Sequence, residues 1–372
     1  MLLSEFDYNL PENLIAQLPA DKRENSRMMV LERDSHKILH KHFYDIADLI
    51  DTNSILVLNN TKVMPARLYG HKDTGAKIEV FLLKNLGAVK SAGTTISSSS
   101  SSSSAAVAQS QNGSYWEVLI KPSKRIKPDT IIKISNELSV KVIERTEEDG
   151  GWIVELIYEG DILDVLHRNG NIPLPPYIER KLQTDDIKKL DFERYQTVYA
   201  KDEGSVAAPT AGLHFTTEIL EKLKNKGVEI AYVTLNVGLG TFRPVKCDNI
   251  LDHKMHSETF EISEETAKLI NNAKAEGKKL IAVGTTTVRT LETAYQKYGC
   301  IKACHDHSEL FIYPPYEFKA VDELITNFHL PKSTLLMLVS ALAGKDFIFE
   351  AYNEAIKNKY RFFSYGDCMF IK

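Results

Sequence analysis

Leu280-Ile-Ala-Val-Gly-Thr-Thr-Thr-Val-Arg289 is the stretch of sequence that decides the fold class. Its first four residues form an apolar run typical of a buried strand, and Gly284-Thr285-Thr286-Thr287 then leads into a helix predicted to begin at Val288. A strand that passes directly into a helix is the repeating unit of α/β proteins. The stretch therefore predicts an α/β body.

The same turn is a candidate binding site. Unpaired backbone amides at the start of a helix attract anions, and the hydroxyls of Thr285 and Thr286 and the guanidinium of Arg289 can add hydrogen bonds. The alternative is that a threonine caps the helix and Arg289 is a surface charge. Both interpretations stay open on the sequence alone.

Strand and helix patterns alternate on both sides of this turn. Ser263 and Ser333 each precede a helical pattern as candidate N-caps, and Gly344 follows the second of these helices as a stop signal. The further predicted elements are strands over 55–58 and 228–235 and helices over 217–226, 264–275 and 334–343.

A β-rich segment interrupts the alternation. Short β-branched runs punctuated by Gly, Pro, Asn or Asp predict strands over 76–83, 115–120, 130–134, 138–143 and 152–158. Strands this short and this closely spaced favour a small barrel or a sandwich over about Arg67 to Glu159. We predict a mixed α/β body, residues 1–66 and 160–372, with an inserted β-barrel domain, residues 67–159. Within the barrel, the unbroken serine run from Ser97 to Ser104 predicts a disordered loop over about 87–114.

Composition narrows the class of protein. The 372 residues are 43% hydrophobic and 26% charged, with a mean hydropathy of −0.23, which is typical of a soluble globular chain. No run reaches the ~18 apolar residues of a membrane helix, and the N-terminal residues do not resemble a signal peptide. Four cysteines are too few for a disulfide framework, so we expect the reducing cytoplasm. A net charge of −4 argues against coating nucleic acid by bulk charge but permits a local basic groove.

Two glycine-containing loops are candidates for ligand contact. Val206-Ala-Ala-Pro-Thr-Ala-Gly-Leu-His-Phe215 lets the backbone approach a ligand closely and ends beside a titratable group; the alternative is a packed turn before a helix. Asn236-Val-Gly-Leu-Gly-Thr-Phe-Arg-Pro244 lacks the third glycine of a dinucleotide fingerprint but can admit a nucleoside. The candidate residues of these loops are Pro209, Thr210, Gly212, His214, Gly238, Gly240 and Arg243.

Histidine-bearing segments supply candidates for proton transfer. His253-Lys-Met-His-Ser-Glu258 lacks metalloprotease spacing, so acid–base or hydrogen-bonding roles are preferred for His256 and Glu258. Asn327 and His329 lie on an irregular segment before the most apolar helix, where catalytic groups and simple helix capping are equally plausible.

Cys300-Ile-Lys-Ala-Cys304-His305-Asp306-His307 holds four candidate metal ligands within eight residues. Structural zinc sites usually split their ligands into two separated pairs, and contiguous ligands strain a tetrahedral shell. The alternatives are a polar loop with a functional histidine or a plain surface loop. We predict no metal site.

Basic side chains offer contacts for RNA. They can pair with backbone phosphates, although a solvated surface is the equal alternative. The candidate residues are Lys62 and Arg67 near the start of the barrel and Lys121, Lys124 and Arg125 on a barrel loop.

Several of these segments together resemble one family, the S-adenosylmethionine:tRNA ribosyltransferase-isomerases of queuosine biosynthesis. The resemblance runs from Phe6 to the C-terminus and skips only the serine insertion. It is carried by 205–215, 238–244, 253–257, 283–286, 325–336 and Arg361-Phe-Phe-Ser-Tyr-Gly-Asp367. The chain differs from the family pattern at Asn60 and Lys62, where Asp and Arg are usual, at Asn236, where His is usual, and at Glu309, where Asp is usual.

The resemblance implies a specific reaction. Such an enzyme transfers and isomerises the ribosyl part of S-adenosylmethionine onto 7-aminomethyl-7-deazaguanine at the tRNA wobble position, giving epoxyqueuosine and releasing adenine and methionine. It implies S-adenosylmethionine as co-substrate, no other cofactor, no metal, tRNA as partner, a cytoplasmic location and a monomer. His214, His256, Glu258 and His329 are then the candidate acids and bases, and the turn from Gly284 to Arg289 is the candidate site for the methionine carboxylate.

Two rival functions are weighed against this one. A methyltransferase using the same donor would carry a glycine-rich loop after the first strand of a Rossmann-type sheet, and the sequence has none. For a non-catalytic RNA-binding protein, the histidine-bearing loops would serve no evident purpose.

Overall fold

The computed structural model describes residues 1–88, 112–180, 184–238, 245 and 247–372. The chain forms two compact units. The first unit contains Met1–Val63 and Leu174–Lys372, and the second contains Met64–Pro173. The barrel domain predicted over 67–159 lies within the second unit.

The strands, numbered along the chain, are β1 (Arg27–Glu32), β2 (Lys37–His42), β3 (Ser54–Asn59), β4 (Thr61–Val63), β5 (Arg67–Lys72), β6 (Lys77–Ala88), β7 (Asn112–Lys121), β8 (Ile131–Lys133), β9 (Leu138–Arg145), β10 (Gly151–Tyr158), β11 (Asp202–Ser205), β12 (Glu229–Leu235), β13 (Glu258–Ile262), β14 (Lys279–Val283), β15 (Cys304–Ser308), β16 (Glu323–Asn327) and β17 (Cys368–Ile371). The α-helices are α1 (Ile46–Leu49), α2 (Ile162–Asn169), α3 (Asp185–Arg194), α4 (Thr217–Lys226), α5 (Glu264–Ala275), α6 (Thr285–Tyr298), α7 (Thr334–Ala343) and α8 (Lys345–Lys357).

The first unit is built on a nine-stranded mixed sheet of order β15-β13-β12-β3-β14-β16-β17-β1-β2. Its centre is parallel, because β3 pairs in parallel with β12 and β14, and β14 pairs in parallel with β16. These central strands are buried apolar runs, as expected for parallel strands covered on both faces. The carboxyl ends of four parallel strands therefore meet at one edge of the sheet.

The second unit contains a closed barrel of order β10-β7-β6-β5-β8-β9, in which every pairing is antiparallel. Alternate residues of β9 and β10 point into the apolar interior. The predicted mixed α/β fold with a small β-barrel is thus confirmed.

The predicted bounds of three helices are confirmed. Helices α4, α5 and α7 have the predicted bounds, and the hydroxyls of Ser263 and Ser333 accept the backbone amides of Thr266 and Leu336 as N-caps. Helix α6 differs, since it begins at Thr285 rather than Val288. Gly284 takes φ 86° there, which ends the strand and places the threonines in the first helical turn.

Three further expectations need adjustment. Arg67 begins strand β5, which the sequence did not single out, and Cys304–Ser308 is an edge strand rather than a loop. Of the loop predicted over about 87–114, strands β6 and β7 take both ends; its remaining residues, 89–111, lie outside the described residues. Among the described helices, none has the length and apolar character needed to cross a membrane.

Candidate active site

A cavity of about 700 Å³ opens at the carboxyl edge of the parallel strands in the first unit. This is where ligands bind in open α/β sheets. We call it the main cavity. Its wall comes from four chain segments, 208–211, 284–286, 326–330 and 363–364, together with Tyr177, Val237, Ser333 and Leu335.

The first turn of α6 forms one side of the main cavity. Thr285 and Thr286 line it, whereas the Thr287 hydroxyl donates to the carbonyl of Val283, the last residue of β14, at 2.7 Å. Three successive amides at this helix start have no partner one turn earlier, so they present partial positive charge.

Asn59, at the end of β3, fixes the hydroxyl of Thr286. The Asn59 Oδ1 accepts the amides of Thr61 and Leu235 at 3.1 and 3.0 Å, which leaves its Nδ2 to donate to Thr286 Oγ1 at 3.3 Å. Because Thr286 Oγ1 already accepts this bond, its own proton is available to a ligand. Asn59 was not among the predicted site residues, and its only sequence signal was its place within the motif Asn59-Asn60-Thr61-Lys62.

His214 lies behind the main cavity in a chain of hydrogen bonds. Asn327 Nδ2 contacts His214 Nε2 at 3.1 Å and also the carbonyls of Phe363 and Asp367 at 3.3 and 3.5 Å. Carbonyls accept only, so Asn327 is the donor and the imidazole proton is on Nδ1, from where it is donated to Ser26 Oγ at 2.6 Å. Both ring nitrogens of His214 are therefore occupied.

The same chain of bonds reaches the cavity wall. Asn327 Oδ1 accepts the hydroxyl of Thr210 at 3.0 Å, and both residues line the main cavity. Thr210 thereby presents lone pairs to the cavity rather than a proton. Pro209 lines the cavity as well, whereas Gly212 does not: a Cβ there would lie 1.9 Å from the Tyr199 hydroxyl, so this glycine permits packing rather than ligand contact.

His329 is the one predicted catalytic histidine that lines the main cavity. Its Nε2 lies 3.0 Å from Thr326 Oγ1, and its Nδ1 has no hydrogen-bond partner within the part of the chain that the structure describes. The main chain is held on both sides, because the His329 amide donates to the Tyr352 hydroxyl at 2.9 Å and its carbonyl accepts the Tyr8 hydroxyl. Burial lowers the pKa of His329 to about 3, so the ring is neutral near pH 7.

His214 is also held neutral. Burial first, and then the positive charges of Arg361 and Arg23, lower its pKa from 6.5 to about 3. Between these two values the unfolded chain binds a proton that the folded chain does not. Folding stability is therefore complete above about pH 6.5 and decreases as the pH falls toward 3.

We expect this histidine to set part of the acid sensitivity of the protein. Replacing His214 by Gln should reduce the dependence of the free energy of unfolding on pH, between pH 6 and 4, by about 1.4 kcal/mol per pH unit. Urea denaturation at several pH values measures this slope. A His305→Gln variant, altered at an exposed position on edge strand β15, should keep the wild-type slope; equal slopes for all three proteins would contradict the prediction.

Glu258 and Arg289 form a buried ion pair between β13 and α6. Their side chains are only 3% and 7% exposed. Glu258 Oε1 also accepts the amide of Gly238 at 3.1 Å, and Arg289 donates to the carbonyls of Leu310 and Ser308, each at 3.2 Å. Neither residue lines the main cavity. The geometry places both as structural partners.

The remaining predicted residues lie elsewhere or outside the described residues. His256 is exposed on a loop and does not line the main cavity. Gly240 and Arg243 lie outside the described residues. In the first unit, Lys62 pairs with Glu203 at 2.5 Å; in the second, Arg67 lies 3.5 Å from Glu79, and Lys121, Lys124 and Arg125 are exposed.

The Cys300–His307 segment shows no metal geometry. Asp306 pairs with Lys297 at 2.8 Å, accepts the amide of His307 at 2.7 Å and accepts the Tyr298 hydroxyl at 2.8 Å. These three contacts lower the pKa of Asp306. In the described part of the chain, no group of three or more His, Cys, Asp or Glu side chains is arranged to hold a metal ion.

Comparisons with known proteins agree with this architecture. A family model described as "Queuosine biosynthesis protein" matches residues 3–371. The S-adenosylmethionine:tRNA ribosyltransferase-isomerase of Acetivibrio thermocellus is 52% identical over 374 residues, covering 100% of both chains. The crystal structure of S-adenosylmethionine tRNA ribosyltransferase from Thermotoga maritima matches with a TM-score of 0.52 and 37% identity, over 99% of this chain and 100% of that one. The resemblance inferred from the motifs is confirmed, and the chain belongs to the queuosine biosynthesis protein family.

Proposed function

We propose that this enzyme transfers and isomerises the ribosyl moiety of S-adenosylmethionine onto 7-aminomethyl-7-deazaguanine at the tRNA wobble position. The products are epoxyqueuosine in tRNA, adenine and methionine. The observation that carries the proposal is the main cavity, which gathers polar groups from four of the family's motif segments at one edge of the sheet. The names of the two related proteins support the same donor and acceptor.

The donor is proposed to bind with its methionine carboxylate at the start of α6. The amides of this turn and the Thr286 hydroxyl, whose proton Asn59 leaves available, are donors. The 208–211 segment of the wall offers the acceptor lone pairs of Thr210. The donors suit the anionic carboxylate, and the acceptor suits a ribose hydroxyl.

Proton transfer is proposed for His329. A sulfonium acidifies the C–H bonds beside it, so a neutral base near the ribose 5′ carbon can remove a proton there. If Nε2 of His329 donates to Thr326, Nδ1 is the basic atom that is left for proton transfer. His214 is proposed to act through Asn327, as a positioning residue, and the geometry gives Glu258 and His256 no contact with the cavity.

The remaining features of the proposal concern partners. S-adenosylmethionine is the co-substrate, with no further cofactor or metal, and the enzyme acts as a cytoplasmic monomer. Five basic residues are proposed to pair with tRNA phosphates. They are Lys121, Lys124 and Arg125 in the second unit, and Lys62 and Arg67, which lie in sequence near the boundary between the two units.

Labelled S-adenosylmethionine tests the reaction directly. Incubation with precursor-bearing tRNA should release adenine and methionine, and unmodified tRNA should give neither product. Formation of S-adenosylhomocysteine would indicate methyl transfer instead. Binding of tRNA without any turnover would indicate a non-catalytic RNA-binding protein.

Replacing Thr286 by Val tests the placement of the donor. We expect the KM for S-adenosylmethionine to rise about 10-fold to 100-fold, because a hydrogen bond to a charged group is lost. Thr287→Val is the matched control, since it removes a hydroxyl one residue further along α6 that does not line the main cavity and donates to the carbonyl of Val283 in β14. Equal KM values for the two variants would show that the carboxylate binds elsewhere.

A further inference from the structure

A second, smaller cavity of about 280 Å³ lies in the same unit, on the other side of His214. We call it the arginine cavity, because Arg23 and Arg194 line it together with Ser26, His214, Ser364 and Tyr365. Among the described residues, none of those lining it carries a carboxylate. Two arginine side chains therefore contribute to the wall of one small space that contains no acidic side chain.

Backbone carbonyls hold both guanidinium groups in place. Arg23 donates through Nη1 to the carbonyl of Leu213 at 3.1 Å and through Nη2 to that of Glu193 at 3.0 Å. Arg194 donates through Nη2 to Ala20 at 2.7 Å and through Nη1 to Asp21 at 3.2 Å. A guanidinium has five N–H groups, so each keeps three without a partner within the described chain.

The positive charge of this region is only partly offset by its neighbours. Burial and then the charge of Arg194 lower the pKa of Arg23 against the opposing effect of the Glu193 carboxylate, and burial and then the charges of Arg361 and Arg23 lower the pKa of His214. Arg361 is nearby, because it donates to the carbonyl of Tyr365 in the cavity wall. Like charges held together in this way are stabilised when an anion binds between them.

Two other arginines in the same unit pair directly with carboxylates. Arg180 forms a two-point ion pair with Asp191, and Arg289 pairs with Glu258. Arg33, like Arg23, donates to backbone carbonyls, but its cavity also contains Asp322 and Glu323. A cavity lined by two arginines and by no acidic residue is thus not a general feature of this fold.

The arginine cavity adjoins the main cavity. Ser364 lines both, and His214, in the wall of the first, accepts a hydrogen bond from Asn327 in the wall of the second. A nucleotide whose base enters the main cavity carries phosphates a few bonds from that base. We infer that the arginine cavity binds a backbone phosphate of the tRNA, at or next to the nucleotide that is modified.

This inference rests on the proposed function, and Arg194→Gln tests it. The KM for precursor-bearing tRNA should rise about 10-fold to 100-fold, and the slope of log affinity against log salt should become shallower by about 0.7–0.9. The KM for S-adenosylmethionine should stay within twofold. Arg194→Lys keeps the charge but loses the planar fork, so its tRNA affinity should be intermediate.

Arg33→Gln is the matched control, because it removes the same charge and the same kind of carbonyl contacts from another cavity. It should leave both KM values and the salt slope at wild-type values. Thermal unfolding of every variant checks that the fold is retained, and Arg23→Gln gives a second reading if Arg194→Gln does not fold.

Two results would overturn the inference. A rise in the KM for S-adenosylmethionine with unchanged tRNA binding would show that the cavity holds the donor's carboxylate, and an unchanged salt slope would show that no phosphate binds there. Equilibrium tRNA binding is measured without turnover, so a failure of the proposed reaction would appear separately, as absent adenine release by the wild-type enzyme.

Discussion

Replacing Glu258 by Gln is expected to lower the free energy of unfolding by about 3–5 kcal/mol, because it leaves the buried guanidinium of Arg289 without a counter-charge. The carboxylate and the guanidinium are both almost wholly buried, so neither can regain its hydration after the partner is removed. Urea denaturation measures the loss, provided that the dependence on denaturant concentration stays the same as in the wild type.

Two further variants make this prediction specific. Asp48→Asn breaks the ion pair with Lys222, in which the two side chains are 73% and 55% exposed, and should cost about 1 kcal/mol or less. The double variant Glu258→Leu with Arg289→Met replaces both charges by apolar groups and should recover much of the stability. If Glu258→Gln kept full stability but lost turnover, Glu258 would be catalytic rather than structural.

Much of the fold could be predicted because its signals are local. The bounds of α5 and α7 followed from periodicity and from the capping residues Ser263 and Ser333, and those of α4 followed from periodicity alone. The start of α6 did not, because β-branched threonines disfavour helix interiors. Here Gly284 turns the chain, and Thr287 and Thr290 bond to carbonyls one turn earlier, so burial overrides the propensity.

The site could be predicted only in part because its contacts are distant in sequence. Thr285, Thr286, Thr210, Asn327 and His329 were predicted as site residues, and the structure brings them together around the main cavity. The sequence could not show that His214 bonds to Ser26, 188 residues away, and so has no free nitrogen. A motif marks which residues matter, whereas the assignment of a role needs the partners of each polar atom.

The contacts of the four candidate acids and bases reduce the number of residues that can transfer a proton in the main cavity. Four titratable groups were candidates for proton transfer, and the contacts engage Glu258 in an ion pair, occupy both nitrogens of His214 and place His256 on the surface. This concentrates the proposed acid–base chemistry on His329. The surrounding hydroxyls then act by orientation, with Thr286 as a donor and Thr210 as an acceptor.

His329→Gln is therefore expected to lower kcat for adenine release by about 10²–10⁴-fold, the usual contribution of a well-placed acid–base group. Glutamine keeps a polar side chain of similar reach but cannot take up a proton. The measurement is single-turnover adenine release at saturating S-adenosylmethionine and tRNA, which separates the chemical step from binding. His305→Gln, on the exposed edge strand, is the control and should retain the wild-type rate.

The pH profile gives this prediction a second readout. Because burial holds the pKa of His329 near 3, the ring stays neutral throughout pH 5 to 8, and kcat/KM should show no histidine break near 6.5. Thr326→Val removes the partner of Nε2 and should reduce kcat less than His329→Gln does, because the ring remains but its orientation is less fixed. If His329→Gln kept kcat within threefold of the wild type, the base would be a different group, and the low pKa of His329 would reflect its burial in the wall alone.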